Sequence, residues 1–380
     1  MLRLYPGTDH ITGLRAYAAL FVLSIHTGLF RGYGAALEHF TDAGKHGVAM
    51  FFIISGFSVT ASLANSATVA EYLVRRLCRI WPLYVCAIGS AFILHASGLI
   101  EYSGYMKQFG MDFDLYNFLM HISFLSVLDY RIANSVIGVE WSIPIEICWY
   151  FIMPLIISKC TRLWHLLAGV VLIMVLNEIF RRGLGHLLGD DAGYAAHWFP
   201  LRYGTFFLAG TIAYRLRQVG ALSEWSAGSW VAVGALFGLF ASMLLGGGEL
   251  AVSAATFLII VFYREGRLAT DWLLKGRILL FLGTISYSIY LLHMLVIAVL
   301  TGPQGLAPHA SGPLWSMTVL AATVAIATAS YLLIEYPSNW GGKRLAKRVV
   351  GRQVIHGESG LRTERDGAAR IPLHEAGEGG

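Results

Sequence analysis

Apolar residues in this chain come in long runs broken by short polar clusters, and the runs follow one another almost end to end from residue 11 to residue 335. A helix needs roughly 20 largely apolar residues to cross the hydrocarbon layer of a membrane. Ten runs approach that length, at 11–30, 46–64, 82–100, 143–158, 164–180, 199–216, 228–246, 250–263, 279–301 and 314–335. In lipid a backbone must satisfy its own hydrogen bonds, so the pattern predicts an all-α, polytopic membrane bundle of about ten transmembrane helices. The stretch Phe118 to Leu128 is too short to cross and predicts an interfacial or re-entrant helix inside the long connection 101–142.

Composition narrows this further. Of the 380 residues, 56% are hydrophobic and 13% charged, about half the charged share of a soluble domain. The net charge of +5 does not point to nucleic acid, because Lys and Arg sit in clusters between apolar runs, as topology determinants do. With ten spans and a cytoplasmic N-terminus, the inside segments hold 20 basic residues and the outside ones hold 6. Both termini are expected in the cytoplasm. Cys78, Cys86, Cys148 and Cys160 form no CxxC pair and no zinc spacing, so neither a metal site nor a disulfide framework is expected. Met1 to His10 lacks the features of a signal peptide, and the first run carries Arg15 and His26; it reads as a retained helix. Residues 1–342 read as one membrane domain. Residues 343–380 begin with the basic stretch GGKRLAKRVVGR, suited to anionic lipid, and end in a Gly-, Arg- and Glu-rich tail expected to be disordered.

Ionisable side chains inside spans cost roughly 2.5–3.5 kcal/mol each on insertion scales, so each one marks a candidate site. Arg15 and His26 are separated by 11 residues, which at about 100° per residue returns the second to within about 20° of the first and places it about 16 Å further along the axis. An anion-binding group and a proton-transfer group share one face at two depths. Glu146 enters the fourth span at the depth His26 reaches in the first, and a carboxylate at that level would fix the imidazole tautomer and raise its basicity. Arg76 and Arg79, at i and i+3 in RRLCRIWPLY, present a fork of guanidiniums suited to phosphate or pyrophosphate at the cytoplasmic mouth. His293 and Glu335 complete the set in the ninth and tenth spans. No GxSxG, Walker, Rossmann or HExxH motif occurs, and the glycines of GVAMFFIISGF read as close-packing positions.

Arg15-x10-His26, GVAMFFIISGF (47–57), YLVRRLCRIWPLY (72–84), WSIPIEICWYFIMPL (141–155), RYGTFFLAG (202–210), LGTISYSIYLLH (282–293) and SYLLIEYP (330–337) together resemble, in order and spacing, the membrane-bound acyltransferase 3 family. The resemblance spans about residues 11–342. It implies a ten-helix protein of the bacterial inner membrane that moves an acyl group, usually acetyl from acetyl-CoA, onto hydroxyls of envelope or secreted glycans, lipo-oligosaccharides or macrolides. By this resemblance Arg15, His26 and Glu146 are catalytic, Arg76, Arg79 and Arg15 hold the acyl-CoA, and His293, Glu335 and Arg202 are further candidates. The sequence departs from the family at Thr12, where an acidic residue is common, and at Leu295, where Pro is common; a fused hydrolase-like domain is not expected after the tenth span. Direct transfer with His26 as general base and transfer through an acyl-His26 intermediate both fit. A secondary transporter or flippase using the same buried charges as an ion path is the rival expectation, although no inverted repeat relates the halves.

Overall fold

The computed structural model describes residues 8–218, 228–266, 268–305 and 311–349, and every regular element among them is helical. α1 (Asp9–Thr27) stops at Gly28, whose left-handed backbone (φ +64°) closes the last turn. The short α2 (Ala35–Ala43) leads into α3 (Gly47–Ala64), and α4 (Val69–Ala96) is opened by Thr68, which accepts a hydrogen bond from the Glu71 amide. The outer connection carries α5 (Gly104–Phe109) and α6 (Leu115–Ile122). The chain continues through α7 (Ser142–Lys159), α8 (Leu163–Leu188), α9 (Ala192–His197), α10 (Gly204–Gln218), α11 (Gly228–Leu244), α12 (Glu249–Phe262), α13 (Leu268–Lys275), α14 (Arg277–Thr284), α15 (Ser286–Thr301) and α16 (Pro313–Ser330).

Helices overlie all ten apolar runs. Among the described residues, five stretches can cross a membrane by length and composition, Ala35–Ala64, Val69–Ala96, Ser142–Lys159, Leu163–His197 and Pro313–Val349, and there is a sixth if the bent pair Thr270–Thr284 and Ser286–Thr301 counts as one. The run expected as a single ninth span is thus broken, by 56°. The tenth run does not end at Glu335: its helix continues to Val349, so the first part of the basic stretch extends the same rod. The segment 118–128 divides between the 8-residue α6 and a 3-10 turn at Leu125–Leu128, neither long enough to span. The expected tail, 351–380, lies outside the described residues. α8 exposes Leu167, Val171, Leu172, Val175, Leu176 and Ile179, an uncovered apolar band that water would reject and lipid tails accept.

α1 is wrapped by α3, α13, α14, α15 and α16. Backbones approach closely where glycine allows it. A Cβ on Gly56 of α3 would lie 2.1 Å from the Phe207 carbonyl oxygen, and one on Gly210 of α10 would lie 2.0 Å from that of Ile53. The close-packing role expected of GVAMFFIISGF is realised in this reciprocal pair, which brings the polar residues of α3 to the centre of the bundle. Irregular backbone before α7 is made tolerable by Glu140, a fully buried carboxylate that accepts from the amides of Val136 (2.7 Å) and Val139 (3.0 Å) and from that of Gly138. Its charge answers donors that would otherwise stand unpaired at membrane depth.

Candidate active site

α4 delivers two of the expected arginines to the bundle interior. Arg76 is buried, with 6% of its surface exposed; it donates to the Ser58 carbonyl of α3 and lies 5.5 Å from the Tyr150 ring centroid. Arg79 is half-buried beside it. Ser58, Arg76 and Arg79 form a wall shared by two chambers. The first, about 110 Å³, is bounded by Arg75, Arg76, Arg79, Asn339 and Lys343, so among the described residues four cations and no carboxylate line it. The second, about 50 Å³, lies deeper and adds Arg15, Ser55, Glu146, Tyr150, Tyr287 and Tyr290. It has room for a few waters.

Glu146 faces this inner chamber and its Oε1 accepts hydrogen bonds from two hydroxyls, that of Ser55 and, at 2.7 Å, that of Tyr150. Glu335 reaches the same neighbourhood from the other side: it is 3% exposed, accepts from Ser288 Oγ at 3.0 Å, and interacts electrostatically with Arg79 and Arg15. A π-helical turn at Tyr331–Glu335 allows this approach, because the extra residue in such a turn rotates the remainder of the rod by about 100° relative to an unbroken α-helix. Three guanidiniums and two carboxylates are gathered here, where lipid-embedded charges need each other.

The shared face expected for Arg15 and His26 is also found, with α15 as the surface it meets. Arg15 Nε donates to Ser286 Oγ at 3.1 Å, and His26 Nδ1 lies 3.0 Å from His293 Nε2. Ser286 and His293 are themselves seven residues apart, two helical turns, so α1 and α15 run parallel. Glu146 is not the partner of His26, contrary to the expectation from depth. The imidazole is held by Val22 O (2.8 Å) and His293, while the carboxylate is taken by Ser55 and Tyr150. Equal depth left the rotation of the two helices open, and α15 occupies the place facing His26. His26 and Glu335 line neither chamber, but each is tied to α15, through His293 and Ser288; Arg202 also lines neither chamber and stands apart, exposed and 5.8 Å from the Tyr203 ring.

A family model described as an acyltransferase domain, that of the acyltransferase 3 family, matches residues 9–334. The chain belongs to this acyltransferase family. The acyltransferase is 27% identical to nodulation protein 10 of Rhizobium leguminosarum bv. viciae, over 92% of this chain and 99% of that protein. It is 24% identical to the acyltransferase MdmB of Streptomyces mycarofaciens, over 86% of this chain and 90% of that one. With the exopolysaccharide production protein ExoZ of Rhizobium meliloti it shares 27% identity, covering 88% and 100% of the two chains. No solved structure matches. The acyltransferase is an enzyme that transfers groups other than aminoacyl groups, and the transporter reading gives way to this assignment.

Polar residues that the sequence did not single out stand in the acyltransferase's inner chamber: Ser55, Ser58, Ser142, Tyr150, Tyr287 and Tyr290. Tyr150 could have been found, since it lies four residues after Glu146 and so on the same helical face. Tyr287 donates to the Ile80 carbonyl at 2.9 Å, and Tyr290 is paired with Ser142 Oγ at 2.8 Å. These are contacts between helices, which hydropathy does not encode. Among the described residues, no group of three or more His, Cys, Asp or Glu could hold a metal ion.

Proposed function

We propose that this acyltransferase is an O-acyltransferase of the bacterial inner membrane, with about ten spans and both termini cytoplasmic. It takes an acyl group, acetyl foremost, from acyl-CoA bound at the α4 arginines and moves it to a hydroxyl of an envelope or secreted glycan at His26. The observation that carries this reading is the pair of chambers sharing Ser58, Arg76 and Arg79, cationic at the mouth and narrow within. Guanidiniums bind phosphates through paired hydrogen bonds. CoA carries phosphates at one end and its thioester at the tip of a long, thin arm, a shape suited to a charged mouth followed by a narrow passage. His26, about 16 Å along α1 from Arg15, is exposed and open to an acceptor. The relative named for exopolysaccharide production supports a glycan as that acceptor.

In the transfer step the acceptor oxygen forms its bond to the thioester carbonyl while its proton passes to the His26 ring. The C–S bond breaks, and CoA leaves as a thiolate that takes up a proton. General-base action of this kind contributes roughly 10²–10⁴-fold. The test is turnover of radiolabelled acetyl-CoA by detergent-purified protein, with and without glycan extracted from the host envelope. Turnover is expected, falling at least ~100-fold in His26→Ala; a protein that never consumes acetyl-CoA would overturn the reading. Arg76→Lys and Arg79→Lys keep the charge and lose the planar fork, so the donor KM should rise by about 10-fold with folding intact. Unchanged donor KM in both would reduce the pair to topology anchors.

A further inference from the structure

The protons of the two facing histidines can be placed. His26 Nδ1 lies 2.8 Å from Val22 O and 3.0 Å from His293 Nε2. His293 Nδ1 lies 2.7 Å from Tyr290 O and 3.2 Å from Ile289 O. A carbonyl oxygen only accepts, so in each neutral ring the nitrogen that faces carbonyls carries the hydrogen. His293 Nε2 is then a bare lone pair, buried with 1% of the residue exposed. The N–H of His26 Nδ1 is shared between Val22 O and that lone pair. The remaining nitrogen, His26 Nε2, is left unprotonated on the exposed ring.

We infer that His293 is a positioning residue that sets His26 as an Nε2 base, filling with a neutral imidazole the place a carboxylate takes in serine-hydrolase triads; the inference rests on the reading of His26 as the base. When His26 Nε2 takes the acceptor's proton, its Nδ1–H bond to His293 becomes charge-assisted, a class of bond about twice as strong as a neutral one. A second proton on His293 would set N–H against N–H, so the pair holds one charge, on the ring that meets the acceptor. A neutral partner suits this depth. A carboxylate behind His26 would be a lone buried charge in every resting enzyme, costly inside a membrane, whereas His293 draws charge into play only as the proton moves. The approach of the rings, 5.1 Å between centroids with planes tilted by 44°, fits an edge-on nitrogen contact rather than stacking.

The experiment uses the full chain in detergent, labelled with ring-15N histidine, and acetyl-CoA hydrolysis as the kinetic probe, with water as the acceptor. Long-range proton–nitrogen spectra separate the two tautomers, and spectra of His26→Ala and His293→Leu assign the signals. His26 is expected in the Nδ1–H form; an Nε2–H signal overturns the proposal without reference to activity. His293→Leu should lower kcat about 10- to 100-fold, the value of a hydrogen bond to a charged group, with donor KM unchanged. His293→Gln places an accepting oxygen at similar reach and should recover most of that loss. A Leu variant with full kcat, or a folded Gln variant no better than Leu, overturns the positioning role. If instead His26→Ala keeps its activity while the wild-type spectrum shows the Nδ1–H form, the base reading of His26 is what fails, and the failure is told apart from that of the tautomer assignment.

Discussion

At the residue scale, Glu146 shows how a lipid-embedded carboxylate is made tolerable. Two hydroxyls, from Ser55 and Tyr150, converge on one of its oxygens, and hydrogen bonds to charged groups each contribute roughly 1.5–3 kcal/mol. Because Ser55 and Glu146 act through the same bond, their losses should overlap. Glu146→Gln and Ser55→Ala should each lower kcat/KM for acetyl-CoA, and the double variant should fall short of their product by a coupling of about 0.5–3 kcal/mol. A strictly multiplicative double variant would show that the bond seen between them has no bearing on the reaction. Glu146 was legible as a candidate site residue because a carboxylate stands out in an apolar run. Its partners were not, since serine and tyrosine in such a run are unremarkable and only neighbouring helices reveal what they touch.

At the element scale, the site depends on how near α3 and α10 come to each other. The reciprocal Gly56 and Gly210 contacts leave no room for a methyl group on either side, and forcing extra atoms into a packed contact costs about 1–3 kcal/mol. Gly210→Ala should lower thermal survival of the detergent-purified protein by that amount. Gly89→Ala, in α4, where a new Cβ meets nothing within 4 Å, should be neutral or stabilising by up to about 1 kcal/mol. Equal behaviour of the two would mean the α3–α10 approach is looser than this geometry. The existence of these helices was plain from the apolar runs. The 56° break before α15 and the π turn that follows α16 were not, because the small and polar residues at 283–288 and the Glu335 that ends the π turn also occur in straight membrane helices, so the chain alone does not mark a bend there.

At the scale of the whole molecule, the basic residues imply a direction through the membrane. Reporter fusions at Gly305 should read periplasmic and at Gly351 cytoplasmic; the opposite pair would invert the bundle and put the arginine mouth on the wrong side for the proposed CoA donor. That expectation comes from the sequence, as do the membrane class, the helical elements and the roster of charged residues inside them, because hydropathy and the 3.6-residue period are local properties of a chain. The period even placed Arg15 and His26 on one face, and the parallel contact with α15 agrees. What tertiary structure alone decided is who meets whom. It gave His26 to His293 rather than to Glu146, turned Glu335 inward, left Arg202 outside, and set Ser55 and three tyrosines into the inner chamber. Depth along a helix can be read from the chain, but the rotation of each helix about its axis is fixed by packing against all the others. That is a property of the bundle, not of any one run.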